Sequence, residues 1–313
     1  MEAERPEIFV LAGVTAVGKT VFSLEWAEQA EAEILSCDAL LVYRGMDVGT
    51  AKPTRKEQAR IPHHGIDLAE PSESFDVARY VTYAREKVEE IHARGRRVLV
   101  VGGSGFYLKS FFEPVTDEVE VPAAVRAEVR ALEKNEGLDG LLTRLGERNP
   151  ELPADLDLRN PRRVVRALER CLASGETLLA LQERFHNLPG PFDAYRKRTC
   201  LLDREPAELE QRIRARTAAM LQAGLVEETE ALVAGGLREN PSSSRAVGYR
   251  EVIAMLDGDL PGDELPEAIS RSTLQLASRQ RKWFRNQFQS DLRLVTREGE
   301  ENLAKDFSWL PEA

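Results

Sequence analysis

The sequence predicts an α/β protein: a parallel sheet core with helices on both faces, interrupted by an inserted all-helical subdomain. Three features carry this. Short apolar runs alternate with helical periodicity over the first third of the chain, and such alternation implies a parallel sheet. The first and third of those runs each end in a glycine-rich turn. From about Pro122 the texture becomes helical until the stretch Leu188-Pro189-Gly190-Pro191, after which another apolar run follows. The expected division is a core of residues 1–113 and 199–313, with 114–198 as the insertion.

Residues 8–12 form the first apolar run, and residues 21–30 after the turn have helix-compatible composition. Residues 34–37 read as a second strand ending at Asp38. Across residues 77–94, Val77, Tyr80, Val81, Ala84, Val88 and Ile91 recur at three- and four-residue steps, one apolar face of a helix. Residues 97–101 are a continuous apolar run closed by Gly102-Gly103, as for a parallel strand buried on both faces. In the insertion, helices are expected over 123–134, 138–147 and 161–173, the last opened by Asn160 as N-cap and Pro161 as first helical residue. Residues 199–202 return to the sheet, and helices follow over 206–223, 226–234 and 269 to about 289. The segments 43–53 and 62–67 are irregular and rich in turn formers, which suits an active-site loop.

The chain has 313 residues and is 42% hydrophobic, enough for a sizeable core. Its longest apolar stretches fall well short of the roughly 18 residues of a membrane span. The acidic start Met1-Glu2-Ala3-Glu4-Arg5-Pro6 lacks the basic region and cleavage site of a secretory signal, so a cytoplasmic protein with no membrane partner is expected; a monomer is expected as well. Cys37, Cys171 and Cys200 are widely spaced, without a CxxC pair, and indicate neither a disulfide framework nor a zinc site. The net charge is −10, yet the runs 159–170, 196–198 and 278–285 together carry +11 and leave −21 on the rest. Positive charge gathered in this way on an acidic body can hold a polyanion locally.

Gly13-Val14-Thr15-Ala16-Val17-Gly18-Lys19-Thr20 fits the phosphate-loop pattern GxxxxGK[ST] between an expected strand and helix. In such a P-loop, backbone amides and the helix N-terminus face phosphate oxygens, Lys19 adds a point charge, and the Thr20 hydroxyl can hold Mg²⁺. The pattern specifies phosphate, not its carrier. A nucleoside triphosphatase or kinase of this type places a metal-holding Asp at the end of a later strand. Here that strand ends in Gly102-Gly103-Ser104-Gly105. Asp38 is the carboxylate expected above the loop, since ligands of open α/β sheets sit at the carboxyl ends of strands. His63 and His64 lack metal-ligand spacing, and hydrogen-bonded or surface roles are expected for them.

Several segments resemble the tRNA dimethylallyltransferase family, the bacterial isopentenyltransferases that modify adenosine 37. They are the P-loop, the run from Ser36-Cys37-Asp38-Ala39-Leu40-Leu41 through Tyr43-Arg44-Gly45-Met46-Asp47 to Gly49-Thr50-Ala51-Lys52-Pro53, then Pro62-His63-His64 and Val101-Gly102-Gly103-Ser104-Gly105-Phe106-Tyr107. Asn160-Pro161-Arg162-Arg163-Val164-Val165-Arg166, Arg245-Ala246-Val247-Gly248-Tyr249-Arg250 and Gln275 to Arg285 agree with it. The chain departs from the family at Ala39, where Ser is usual, at Ser104, where Thr is usual, and at Val14 and Val17, where Pro and Ser are commoner.

The resemblance implies a P-loop core that transfers a dimethylallyl group from dimethylallyl diphosphate to N6 of adenosine 37 in the anticodon arm of tRNA. Asp38 would be the general base, and Lys19, Mg²⁺ at Thr20, Ser104 and Arg250 would stabilise the leaving diphosphate. Gly13, Thr15, Ala16, Val17, Gly18, Lys19, Thr20 and Arg250 would bind that diphosphate. The implied tRNA surface comprises Asp38, Ala39, Leu40, Leu41, Ser104, Arg126, Arg162, Arg163, Val164, Val165 and Arg166, then Arg245, Ala246, Val247, Gly248, Tyr249 and Arg250. Ser278, Arg279, Gln280, Arg281, Lys282, Trp283, Phe284 and Arg285 complete it. Arg163, Arg166 and Arg170 step along one face of a helix, opposite Val165, Leu168 and Leu172, as a row of phosphate contacts would. Within the last helix Leu276, Trp283, Phe284 and Phe288 are expected to be core. The alternative is a small-molecule P-loop kinase, which would turn over ATP and have no use for the arginine runs.

Overall fold

The computed structural model describes residues 5–117 and 119–297. Six strands, β1 (Glu7–Gly13), β2 (Ala32–Cys37), β3 (His63–His64), β4 (Arg97–Gly102), β5 (Arg196–Arg204) and β6 (Leu292–Thr296), make one sheet. The order is β3-β2-β4-β1-β5-β6 and every pairing is parallel. Residues 8–12 of β1 and all of β2 are buried, so helices cover both faces there. The helix Lys19–Gln29 places Trp26 against Phe9, while Tyr80 on Val77–Ala93 donates to the Ser36 carbonyl. The register aligns the carboxyl ends that matter: Ala12 pairs with Gly102, and Gly102 with Cys37. The P-loop, Asp38 and Ser104 therefore leave the sheet side by side.

The chain forms two compact units, residues 1–113 with 191–313, and residues 114–190. The second boundary lies earlier than the expected 198/199. Phe192 is fully buried in the sheet unit and stacks on Phe111 at 4.4 Å, and β5 begins at Arg196 beside Glu7. Unit 114–190 contains the helical runs Ala123–Arg148, Pro161–Ser174 and Leu178–His186 around Val129, Leu141, Leu145, Val164, Leu168 and Cys171. The first run is interrupted at Gly137, whose φ of 66° is not helical, where two separate helices were expected. Among the described residues no helix is long and apolar enough to cross a membrane.

Strand β3 lies within the segment 62–67 expected to be irregular, and a short helix, Arg55–Arg60, lies between that segment and 43–53. A capping box starts that helix: the Thr54 hydroxyl accepts from the Glu57 amide, and the Glu57 carboxylate accepts from the Thr54 amide.

Candidate active site

The P-loop runs from the end of β1 into the helix Lys19–Gln29. Its turn needs left-handed backbone at Ala16 (φ 61°) and Gly18 (φ 115°), which glycine adopts without strain. Lys19 curls over the loop and donates to the Gly13 and Val14 carbonyls, both at 2.9 Å. Other elements grip the loop from outside. Arg212 Nε donates to the Ala16 carbonyl at 2.9 Å, and Arg204 Nε to that of Val17 at 3.3 Å. Gln280 links the loop to the end of β4, its Oε1 accepting from the Thr15 amide at 2.9 Å and its Nε2 donating to the Gly103 carbonyl at 3.0 Å. The Thr15 amide, expected to face phosphate, is thereby committed to Gln280.

Above the loop lies a cavity of about 500 Å³ lined by residues 15–20, Asp38, Leu41, Thr50, Gly103, Arg212, Arg216 and Gln280, among others. Asp38 is the carboxylate in that lining. Its Oδ1 accepts from the Leu40 amide at 2.9 Å, and next to it the Ser104 Oγ accepts from the Ala39 amide at 3.2 Å. Strands β2 and β4 meet so closely there that a Cβ on Gly102 would collide with the Cys37 carbonyl. Only glycine allows Asp38 and Ser104 to lie on adjoining strand ends.

The charge is unbalanced. Burial pulls the Lys19 pKa down to about 8; the charge of Asp38 opposes that fall and Arg216 adds to it. Burial likewise lowers Arg216, again opposed by Asp38, with Arg212 pushing further down. Lys19, Arg212 and Arg216 thus face one carboxylate in a partly desolvated space. An anionic ligand would relieve both the desolvation and the mutual repulsion.

Residues 41–287 match the family model described as IPP transferase. The chain belongs to the IPP transferase family. The tRNA dimethylallyltransferase of Opitutus terrae is 57% identical to it over 284 residues, covering 91% of each chain. Among solved structures, the tRNA isopentenylpyrophosphate transferase of Bacillus halodurans superposes with a TM-score of 0.68 at 32% identity, over 96% of this chain and 93% of that one. A eukaryotic dimethylallyltransferase acting on tRNA gives 0.79 at 25% identity, over 93% and 74%.

In this IPP transferase the residues singled out from the sequence fall into three sets. Gly18, Lys19, Thr20, Asp38 and Leu41 line the cavity with Thr15, Ala16 and Val17, while Ser104 is tied to Ala39 beside it. A second set is exposed: Arg126, Arg162, Arg163 and Arg166 in unit 114–190, and Arg245, Ser278, Arg279, Lys282 and Arg285 in the sheet unit. The third set differs from an open RNA surface, being buried or engaged in contacts within the fold. Val164, Ala246, Gly248, Tyr249 and Phe284 are buried, and the Trp283 ring packs over Gly105. Gln280 holds the P-loop, and Arg281 donates to Asp203 and to the Arg204 carbonyl.

Two arginines differ from expectation. Arg250 pairs with its neighbour Glu251 and does not line the cavity; Arg212 and Arg216 of the helix Pro206–Gln222 stand there instead. Arg170 pairs with the buried Asp117 rather than extending the exposed row of Arg163 and Arg166. Sequence reasoning passed over Arg212 and Arg216, although their i, i+4 spacing places them on one helix face. It also missed Glu228, which holds the loop preceding Thr50.

Proposed function

We propose that this IPP transferase moves a dimethylallyl group from dimethylallyl diphosphate to N6 of adenosine 37 in the anticodon arm of tRNA, in the cytoplasm. One observation carries the reading: a phosphate loop ringed by cations opens on a single carboxylate, Asp38, anchored beside the Ser104 hydroxyl. The names of the relatives agree with it.

The adenine amine is a poor nucleophile because its lone pair is delocalised into the ring, so it needs a base. Asp38 has one oxygen fixed by the Leu40 amide, and the other has no protein donor among the described residues. That oxygen takes the N6 proton as the new N–C bond forms at C1 of the dimethylallyl group. The C1–O bond breaks, and its electron pair leaves with diphosphate. Lys19, Arg212 and Arg216 stabilise the charge that grows there. Ser104 accepts from Ala39, which leaves its own proton to donate toward the same region.

The group Mg²⁺ fits Thr20. Its side chain borders the cavity, and among the described residues no cluster of three His, Cys, Asp or Glu side chains competes for a cation. A hard cation held through one hydroxyl would draw its other ligands from diphosphate oxygens and water. When bound, it would neutralise part of the diphosphate charge. The exposed Arg126, Arg162, Arg163 and Arg166 supply cations for RNA phosphates, and the target base must leave its stack to reach Asp38.

The test is transfer of labelled dimethylallyl from its diphosphate to an anticodon stem-loop bearing adenosine at position 37. Transfer should require that adenosine, and ATP should not replace the donor. ATP turnover on a small acceptor without labelling of the stem-loop would move the kinase reading to first place.

A further inference from the structure

Outside the cavity, one carboxylate gathers four hydrogen bonds. Glu228, on the helix Leu225–Ala234, accepts through Oε2 from the amides of Asp47 (3.0 Å) and Val48 (2.7 Å). Its Oε1 accepts from the Gly49 amide (3.1 Å) and from the Tyr249 hydroxyl (2.7 Å). Three consecutive amides converging on one anion form a fixed turn, since each bond is charge-assisted. Tyr249 closes it from below. Its ring fills the place a side chain on Gly49 would need, where a Cβ would lie 2.5 Å from Cζ. Burial and the Glu228 charge raise the Tyr249 pKa far above its ordinary value, so the hydroxyl stays a donor.

The residue after this turn reaches the cavity. The Thr50 carbonyl accepts from Arg216 at 3.2 Å, and among the described residues that is the hydrogen bond that fixes the guanidinium. The Thr50 hydroxyl is tied back to the Met46 carbonyl at 2.6 Å. Lys52, its side chain 4% exposed, fixes the far end by pairing with Asp47 and Asp67 at 2.6 Å each. The Thr50 carbonyl is therefore held between two charged anchors. Arg216 is a long, partly buried side chain at the cavity, and the Thr50 carbonyl is its hydrogen-bond partner there.

We propose that Glu228 is a positioning residue for the donor: by holding the turn at 47–49 it sets the Thr50 carbonyl, and through it aims Arg216 at the diphosphate. This rests on the transferase reading above, in which the cavity takes a diphosphate.

The test uses the full chain and inorganic diphosphate as probe, titrated calorimetrically at fixed Mg²⁺. Glu228→Gln keeps the shape of the side chain but loses its charge and part of its acceptor capacity. It should weaken diphosphate binding about tenfold, the size of a lost charge-assisted contact, and leave anticodon stem-loop affinity within about twofold. Arg216→Lys should also weaken the probe, and in that background Glu228→Gln should add less than about twofold. Tyr249→Phe, which removes one of the four bonds, should act in the same direction by a few-fold and likewise lose its effect beside Arg216→Lys. Equal weakening by Glu228→Gln in both backgrounds, or equal loss of diphosphate and stem-loop affinity, would overturn the proposal and leave Glu228 as a fold contact. A wild-type chain that fails to bind diphosphate would instead sink the transferase reading, and this proposal with it.

Discussion

Lys19 should impose a descending limb near pH 8 on kcat/KM for the donor. Burial against the loop brings its pKa to about 8, so it loses charge where an ordinary lysine keeps it. One pH unit below that value about nine tenths of the free enzyme carries the cation, and one unit above it about one tenth does. Since kcat/KM reports the free enzyme, it should fall roughly tenfold per unit above pH 8. The rate at saturating donor should persist to higher pH, because a bound diphosphate favours the charged amine and raises its pKa again. Lys19→Arg supplies a charge that does not titrate in this range, so the limb should vanish even if the rate falls. The sign for stability is opposite to that for binding. Between about pH 8 and the unfolded value of 10.5 the unfolded chain holds a proton that the folded one lacks, so this lysine's contribution makes stability rise with pH across that window. The assay is the initial rate of label transfer with both donor and tRNA limiting, so that the free enzyme is the species reported, from about pH 6.5 to about 9.5. A flat profile, or the same limb in Lys19→Arg, would refute the assignment of Lys19 to the diphosphate.

Other perturbations separate the roles of neighbouring groups. Asp38→Ala should lower kcat by roughly two to four decades with little change in tRNA affinity, and near wild-type turnover would remove Asp38 from the mechanism. Gly102→Ala drives a methyl into the Cys37 carbonyl and must part the strand ends that carry Asp38 and Ser104, so both Tm and kcat should drop; a variant unchanged in both would show that β2 and β4 do not meet as described. Arg163→Ala with Arg166→Ala should weaken tRNA binding and make its salt dependence shallower, by about 0.7–0.9 log–log units per lost phosphate contact. Arg170→Ala should act differently, costing about 1–3 kcal/mol of stability by stranding the buried Asp117; denaturant titration shows it, and a loss confined to tRNA affinity would contradict it.

The sheet's first, second and fourth strands were legible because each is a short apolar run bounded by Gly or Asp, and the P-loop because its spacing is specific. Strand β3, two residues long, carries too little pattern for any periodicity to show. Strand β6 alternates along Leu292-Arg293-Leu294-Val295-Thr296 only weakly, with Leu294 and Thr296 buried and Arg293 and Val295 exposed. At the site, Asp38 and Lys19 were legible by chemistry and position. Arg212 and Arg216 were not, because an arginine on an amphipathic helix looks the same whether it meets solvent or a cavity; only the packing of the helix Pro206–Gln222 beside the loop decides. Arg163, Arg166 and Arg170 were read as one face, yet Arg170 differs from Arg166 because it pairs with Asp117, distant in sequence, whose side chain is largely buried.

The segment 278–285 shows why a basic motif resists assignment from sequence. On the helix Leu265–Gln287, Ala277, Gln280, Arg281 and Phe284 recur at steps of three, one and three, which places them on one side. That side does structural work for the site: Gln280 ties Thr15 to Gly103, Arg281 holds Asp203 and the Arg204 carbonyl, and Phe284 is core. Ser278, Arg279, Lys282 and Arg285 occupy the other side and are exposed. Two patterns are thus interleaved in eight residues, one that shapes the phosphate loop and one that offers cations to a polyanion. Because the inward pattern fixes the rotation of the helix, it also fixes where the outward cations stand relative to the loop. A shift of one residue in this register would misplace Gln280 and turn the cations away together, which couples the cavity and the charged surface through a single rigid element.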